Sequence, residues 1–78
     1  MKHIKVLGSG CANCKAVAKL ITTVATEKGI AIELEKVEEM REIMRFGILS
    51  TPGVVVDDKV VHSGGIPSRS NVEQWLMA

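Results

Sequence analysis

Two cysteines separated by two residues, at the point where an apolar run gives way to a helical pattern, constrain this chain more than any other feature. The apolar run covers residues 3–7, and the stretch 8–15 that follows contains Cys11 and Cys14, the only cysteines of the sequence. A Cys-x-x-Cys pair at a strand-to-helix junction is typical of thiol chemistry. The free N–H groups and positive dipole end of a helix N-terminus favour a thiolate over a thiol. The sequence therefore predicts a reactive thiol pair at this junction.

Size and charge limit the classes of function. The 78 residues form one domain, residues 1–78, with a modest core. A net charge of +1 from interspersed acids and bases creates no field directed at nucleic acid or an anionic membrane. With one Trp, one Phe and no Tyr, the chain also lacks an aromatic platform for single-stranded nucleic acid.

The N-terminal apolar run is short. It is interrupted by Lys5 and stopped by Gly8, which is unlike a signal peptide or a membrane span. We therefore expect a cytoplasmic protein without a membrane partner. In that compartment a close cysteine pair is more often catalytic or metal-binding than a permanent cross-link.

The first half of the chain follows a strand, helix and strand pattern. Residues 3–7 predict a strand ended by glycine. The helix that follows has an apolar face at positions i, i+3, i+4 and i+7, formed by Val17, Leu20, Ile21 and Val24. Gly29 is a candidate C-terminal cap for it. Residues 30–37 alternate between apolar and polar, which predicts a second strand, parallel to the first in a right-handed βαβ unit.

The second half predicts a short helix, a hairpin and a last helix. The helix covers residues 38–46, with Gly47 closing it and an apolar face formed by Met40, Ile43 and Met44. Residues 54–56 and 59–62 read as a β-hairpin around an Asp-Asp turn. After a loop over residues 63–67, the last helix begins at Ser68 or Ser70, which are equally credible caps. Its apolar face consists of Val72, Trp75 and Leu76.

Three motifs in this β-α-β-α-β-β-α order resemble a known family. They are Cys11-Ala12-Asn13-Cys14 after the first strand, Thr51-Pro52 before the third, and Gly64-Gly65 after the fourth. Over nearly its whole length the chain is similar to the small prokaryotic thioredoxin-like proteins of the thioredoxin/glutaredoxin superfamily. The resemblance implies an α/β thioredoxin-like fold, in which a four-stranded mixed sheet is flanked by three helices. It also implies that the three motifs meet at one edge of the sheet.

The same resemblance implies a function and a role for each motif. The protein would be a thiol–disulfide oxidoreductase in which Cys11 attacks and Cys14 resolves the mixed disulfide. Pro52 would follow a cis peptide bond, and its missing N–H would keep a donor away from the sulfurs. Thr51 would pair its backbone with an extended substrate segment, and Gly64-Gly65 would admit another backbone. We expect a monomer without a cofactor, which reduces disulfide-containing proteins and receives electrons from a reductase or a small thiol.

Some positions depart from the family pattern. Gly10 stands where thioredoxins carry a Trp, Ala12-Asn13 replaces their Gly-Pro, and the first strand offers Lys5 instead of a buried acid. Ile66 follows the double glycine where glutaredoxins often have an Asp. The redox potential and the electron donor therefore do not transfer with the resemblance.

Two further interpretations of the cysteine pair remain open at this point. Cys11 and Cys14 suit a soft-metal carrier for an ion such as Cu(I), although heavy-metal-associated domains end in a strand and this chain is predicted to end in a helix. A dimer that shares a metal or iron–sulfur centre is the other. His62 ends the strand nearest the site, as a candidate proton carrier or accessory ligand, but a surface strand residue is the commoner case.

Overall fold

The computed structural model describes residues 1–8, 12–48 and 50–77. Within these ranges the elements follow the predicted order, which is β1 Lys2–Leu7, α1 Ala12–Lys28, β2 Ile32–Val37, α2 Met40–Arg45, β3 Gly53–Val56, β4 Lys59–Ser63 and α3 Arg69–Met77. The strands form one sheet in the order β2-β1-β3-β4. β1 and β2 are parallel, while β3 is antiparallel to both β1 and β4. The predicted α/β thioredoxin-like fold is confirmed.

The buried side chains form two clusters on opposite faces of the sheet. Because side chains alternate along a strand, Ile4 and Val6 lie on one face of β1 and Leu7 on the other. The large cluster joins the first face to α1 and α3, and its buried members are Ile4, Val6, Cys14, Val17, Ala18, Ile21, Val24, Ala25, Val54, Val56, Val72 and Leu76. The small cluster lies on the α2 face, and its buried members are Leu7, Ile43, Ile48 and Val55.

The C-terminus of α1 determines where β2 begins. Gly29 adopts a left-handed conformation with φ of 66°. Its N–H donates to Thr26 O at 3.2 Å and the Ile30 N–H donates to Ala25 O at 2.9 Å, which is the Schellman pattern of helix termination. The predicted cap at Gly29 is correct. The predicted start of β2 at residue 30 is wrong, since the Ile30 amide is used by the cap and the strand begins at Ile32.

The second helix is shorter than predicted. It covers Met40–Arg45 and not residues 38–46. Ile43 is buried, but Met40 and Met44 are 61% and 67% exposed, so the two methionines lie on the helix surface and do not fill the core. A helix of six residues makes fewer than two turns, and only Ile43 reaches the small cluster. On the same face, Lys5 Nζ lies 5.4 Å from the centre of the half-buried Phe46 ring.

The hairpin turn is tied to the start of β1. Asp57 and Asp58 have φ angles of 48° and 69°, the left-handed pair that a two-residue type I′ turn requires. The His3 N–H donates to Asp57 Oδ1 at 3.0 Å, and the Asp57 N–H donates to His3 O at 2.9 Å. The hairpin is thereby anchored at the end of the sheet opposite the cysteine motif.

The structure decides between the two predicted caps of α3. The Asn71 N–H donates to Ser68 Oγ at 3.2 Å, so Ser68 caps the helix and Ser70 lies in its first turn. Val72 and Leu76 are buried and Trp75 is half-buried, as the apolar pattern predicts. No helix in the described part of the chain has the length and apolarity needed to cross a membrane.

Candidate functional site

Cys14 lies in the first turn of α1 and faces the sheet. Its side chain is 8% exposed and belongs to the large cluster. The Cys14 sulfur is disulfide-bonded. Cys11 and the two residues before it lie outside the described residues, so the role of Cys11 stays a prediction.

Gly8, the residue directly after β1, provides the space that Cys14 occupies. A β-carbon on Gly8 would fall well inside the van der Waals distance of Cys14 Sγ and 3.6 Å from Thr51 Cβ. The Gly8 N–H donates to Val37 O at 2.9 Å, which fixes this backbone to the end of β2. The end of β1, the start of α1 and the segment before β3 therefore meet at Gly8. From the sequence alone, Gly8 is predicted only to end β1; its position directly after a buried strand is the one sign that a larger residue would not fit there.

Thr51 and Pro52 lead into β3 beside this point. The peptide bond between them is cis. Pro52 is fully buried and Thr51 is exposed. Gly53 then pairs with Leu7 on β1 and with Ser63 on β4, which places the start of β3 next to the ends of both neighbouring strands.

The two glycines after β4 approach this segment to different degrees. Both are left-handed, with φ of 79° at Gly64 and 71° at Gly65. The Gly64 N–H donates to Pro52 O at 2.9 Å, and a β-carbon on Gly64 would lie 3.2 Å from Ser50 Cβ. A β-carbon on Gly65 would meet nothing within 4 Å. Gly64 is thus required for both conformation and space, and Gly65 for conformation alone.

His62 lies against the Gly64–Gly65 turn. Its Nε2 is 3.0 Å from Gly65 O, and its ring centre is 5.8 Å from that of Trp75 on α3. The sequence left three interpretations of His62 open, and the structure makes it a half-buried residue that contacts the turn. Within residues 1–8, 12–48 and 50–77, no group of three or more His, Cys, Asp and Glu side chains is placed to hold a metal ion.

The comparisons with known proteins agree with this geometry. The family model described as "Thioredoxin domain" matches residues 2–77. A thioredoxin of Methanothermobacter thermautotrophicus is 34% identical over 76 residues, covering 97% of this chain and 99% of its own. A thioredoxin of Methanocaldococcus jannaschii is also 34% identical over 76 residues, covering 97% of this chain and 87% of its own. This chain belongs to the thioredoxin family.

A third relative extends the set. The protein named "Probable Thioredoxin" of Archaeoglobus fulgidus is 33% identical over 69 residues, covering 85% of this chain and 75% of its own. At the level of the family, the chain is a thioredoxin-type thiol–disulfide oxidoreductase. In this thioredoxin-family fold, the elements that bear Cys14, Thr51-Pro52 and Gly64 converge at one end of the sheet.

A charged cluster in this thioredoxin-family protein joins α1 to α3 at the end of α1 opposite Cys14. Glu27 is near the other end of α1, about 20 Å away at the helical rise of about 1.5 Å per residue. The Arg69 guanidinium hydrogen-bonds to Glu27 at 2.6 Å, and this bond, followed by the charge of Arg69, lowers the pKa of Glu27. The pKa of Arg69 is raised by the same bond and by its contact with Glu73. This cluster joins α1 to α3.

Proposed function

We propose that this thioredoxin-family protein reduces or exchanges disulfides of proteins through Cys11 and Cys14, which cycle between a dithiol and an intramolecular disulfide. The observation that carries the proposal is that Cys14 and Thr51 both lie next to Gly8, beside the buried Pro52. Cys14 is buried in the large cluster, which suits a resolving thiol.

The reaction consists of two thiol–disulfide exchanges. The Cys11 thiolate attacks one sulfur of the substrate disulfide, which breaks that S–S bond, forms a mixed disulfide and releases the first substrate thiolate to take up a proton. Cys14, as a thiolate, then attacks the Cys11 sulfur, forms the intramolecular disulfide and releases the second substrate thiolate. Two electrons pass to the substrate. A reductase or a small thiol returns two electrons to the protein.

The surroundings of the cysteines suit an extended substrate segment. Thr51 is exposed and precedes Pro52, whose nitrogen carries no hydrogen that would compete for the sulfurs. The backbone of Thr51 would pair with the substrate by strand addition. Gly64, which has no side chain, would leave room for the substrate backbone on the other side.

The cellular setting follows from the same chemistry. We place the protein in the cytoplasm, where thiols are kept reduced, and treat it as a monomer without a cofactor. Its partners are then disulfide-containing proteins on one side and an electron donor on the other.

Trapping of the mixed disulfide tests the roles of the two cysteines. Reduced Cys14→Ser protein is mixed with a disulfide-bonded peptide, and covalent adducts are measured by intact mass, with Cys11→Ser as the matched control. We expect one peptide per chain on Cys14→Ser and none on Cys11→Ser, because only the attacking thiol forms a stable adduct when the resolving thiol is absent. An adduct on Cys11→Ser alone would reverse the roles. No adduct on either variant would contradict the function.

A redox titration of the wild-type protein separates this function from the soft-metal alternative. We expect a reversible two-electron transition, with a slope of about 30 mV per tenfold change in the oxidised-to-reduced ratio. Metal content is measured on the same sample. A stoichiometric soft metal with no reversible disulfide would favour the carrier.

A further inference from the structure

The turn formed by Gly64 and Gly65 is held from two sides. On one side, the Gly64 N–H donates to Pro52 O at 2.9 Å. On the other, His62 Nε2 lies 3.0 Å from Gly65 O. A carbonyl oxygen can only accept a hydrogen bond, so His62 Nε2 carries the hydrogen and donates it. A line of contacts therefore runs from His62 through the turn to Pro52.

The position of His62 is set by α3. Its ring centre lies 5.8 Å from that of Trp75, with the two ring planes inclined at 47°. His62 pairs with Val54 of the large cluster across the β3–β4 ladder, so both side chains lie on the α1 and α3 face. The imidazole is half-buried in this position. The contact with α3 thus fixes the position of the His62 imidazole, whose Nε2–H donates to the turn.

This turn depends on a restraint more than an ordinary turn does. Both glycines are left-handed, and glycine loses more conformational freedom on ordering than any other residue. Gly65 is exposed, and a β-carbon placed there would meet no other group within 4 Å. Packing therefore does little to hold Gly65, and the hydrogen bond from His62 restrains its carbonyl. Through Gly64, the same restraint acts on the backbone at Pro52.

We propose that His62 is a positioning residue for disulfide exchange, which holds the Gly64–Gly65 turn in the conformation that receives an extended substrate. The proposal rests on the proposed function, in which this turn borders the substrate backbone. His62 acts through the turn and not on the sulfurs. Its loss should therefore weaken binding of an extended disulfide substrate and leave the exchange step itself unchanged.

Three substitutions separate the hydrogen bond from the packing against Trp75. His62→Gln keeps an N–H donor at about the reach of Nε2 and removes the ring. His62→Phe keeps a ring against Trp75 and removes the donor. His62→Ala removes both.

Each prereduced protein is mixed in single turnover with increasing concentrations of a disulfide-bonded peptide of about eight residues. The half-saturating concentration and the limiting rate are both measured. The small disulfide cystamine, which is too short to occupy the groove, serves as the second substrate. Hydrogen exchange of the Gly64 amide, which donates to Pro52 O, is followed by NMR in the same four proteins.

We expect His62→Phe and His62→Ala to raise the half-saturating peptide concentration about fivefold, as the loss of one net hydrogen bond predicts. His62→Gln should remain near wild type. The limiting rate and the rate with cystamine should be unchanged in all three variants. Exchange of the Gly64 amide should accelerate by a similar factor in His62→Phe and His62→Ala only.

Two results would overturn the proposal. Normal behaviour of His62→Phe with impairment of His62→Gln would assign the effect to ring packing, and equal behaviour of all four proteins would assign no role to His62. A wild-type protein that reacts with neither disulfide would instead contradict the proposed function. In that case the Gly64 exchange rates still decide whether His62 holds the turn.

Discussion

The two faces of the sheet are covered very differently. On one face, α1 with 17 residues and α3 with 9 residues enclose the large cluster. On the other face, α2 has 6 residues and contributes only Ile43 to the buried part of the small cluster. Met40 and Met44 of the same helix remain largely exposed. Most of the buried apolar surface therefore lies on the α1 and α3 face.

The candidate site lies where these two faces meet. Leu7 belongs to the small cluster, Cys14 belongs to the large one, and Gly8 stands between them in sequence and in space. Local opening requires less free energy where less apolar surface is buried. The difference between the faces implies that α2 opens more readily than α1, while Cys14 stays on the more stable side.

The comparison is tested most strongly by equal truncations on the two faces. Ile21→Ala on α1 should lower the free energy of unfolding by about 4 kcal/mol, and Ile43→Ala on α2 by about 2 kcal/mol, both measured by urea denaturation. Ile21 is fully enclosed, so its cavity persists. Ile43 lies on a short helix that can move to fill the space. Equal losses would contradict the asymmetry.

The junction between the faces is tested by Gly8→Ala. The added methyl group collides with Cys14 Sγ, and we expect a loss of about 2 kcal/mol in the free energy of unfolding, as for other insertions into a packed site. Gly29→Ala is the matched control, because a β-carbon there meets nothing within 4 Å and only the left-handed backbone opposes it, at about 1 kcal/mol. A smaller loss at Gly8 than at Gly29 would mean that Cys14 can move aside without cost.

The smallest effect is expected from the ion pair that joins the two helices of the well-covered face. Glu27 and Arg69 are both about half-exposed, and the pairing lowers the pKa of Glu27. A lowered folded-state pKa gives a contribution that is complete above the ordinary glutamate pKa of about 4.3 and is lost as the pH falls through the lowered value. Glu27→Gln should therefore shift the urea midpoint slightly at pH 7, and the shift should become smaller as the pH is lowered below 4.

The control for this pair is Glu33→Gln on β2, where the side chain is exposed at the sheet edge. It should leave the midpoint unchanged at pH 7 and below pH 4. A Glu27→Gln shift of the same size at both pH values would show that packing, and not charge, is responsible.

The order of the elements could be predicted from the sequence because the spacing of apolar residues and the positions of glycines depend on local backbone conformation. Gly29 at the end of α1 is an example, since the left-handed cap is encoded by the glycine itself. The first and last residues of each element were harder to predict from the sequence. The start of β2 depended on a helix cap that uses the Ile30 amide, and an apolar residue at that position gives no sign of this.

The remaining differences come from tertiary structure. Met40 and Met44 fit a helical period, but a helix of fewer than two turns can bury only one side chain against this sheet. The need for Gly8 arises from Cys14, six positions later in the chain. The contact of His62 with Trp75 joins β4 to α3, and no local pattern predicts which strand residue a helix will meet.

The position of Trp75 has a practical consequence. It is the only tryptophan in the sequence, it is half-buried, and it contacts the imidazole that holds the Gly64–Gly65 turn. The emission of its indole therefore comes from one known place in the molecule. Trp75 is therefore an intrinsic fluorescence probe that needs no added dye, and only the His62 side chain separates it from the Gly64–Gly65 turn.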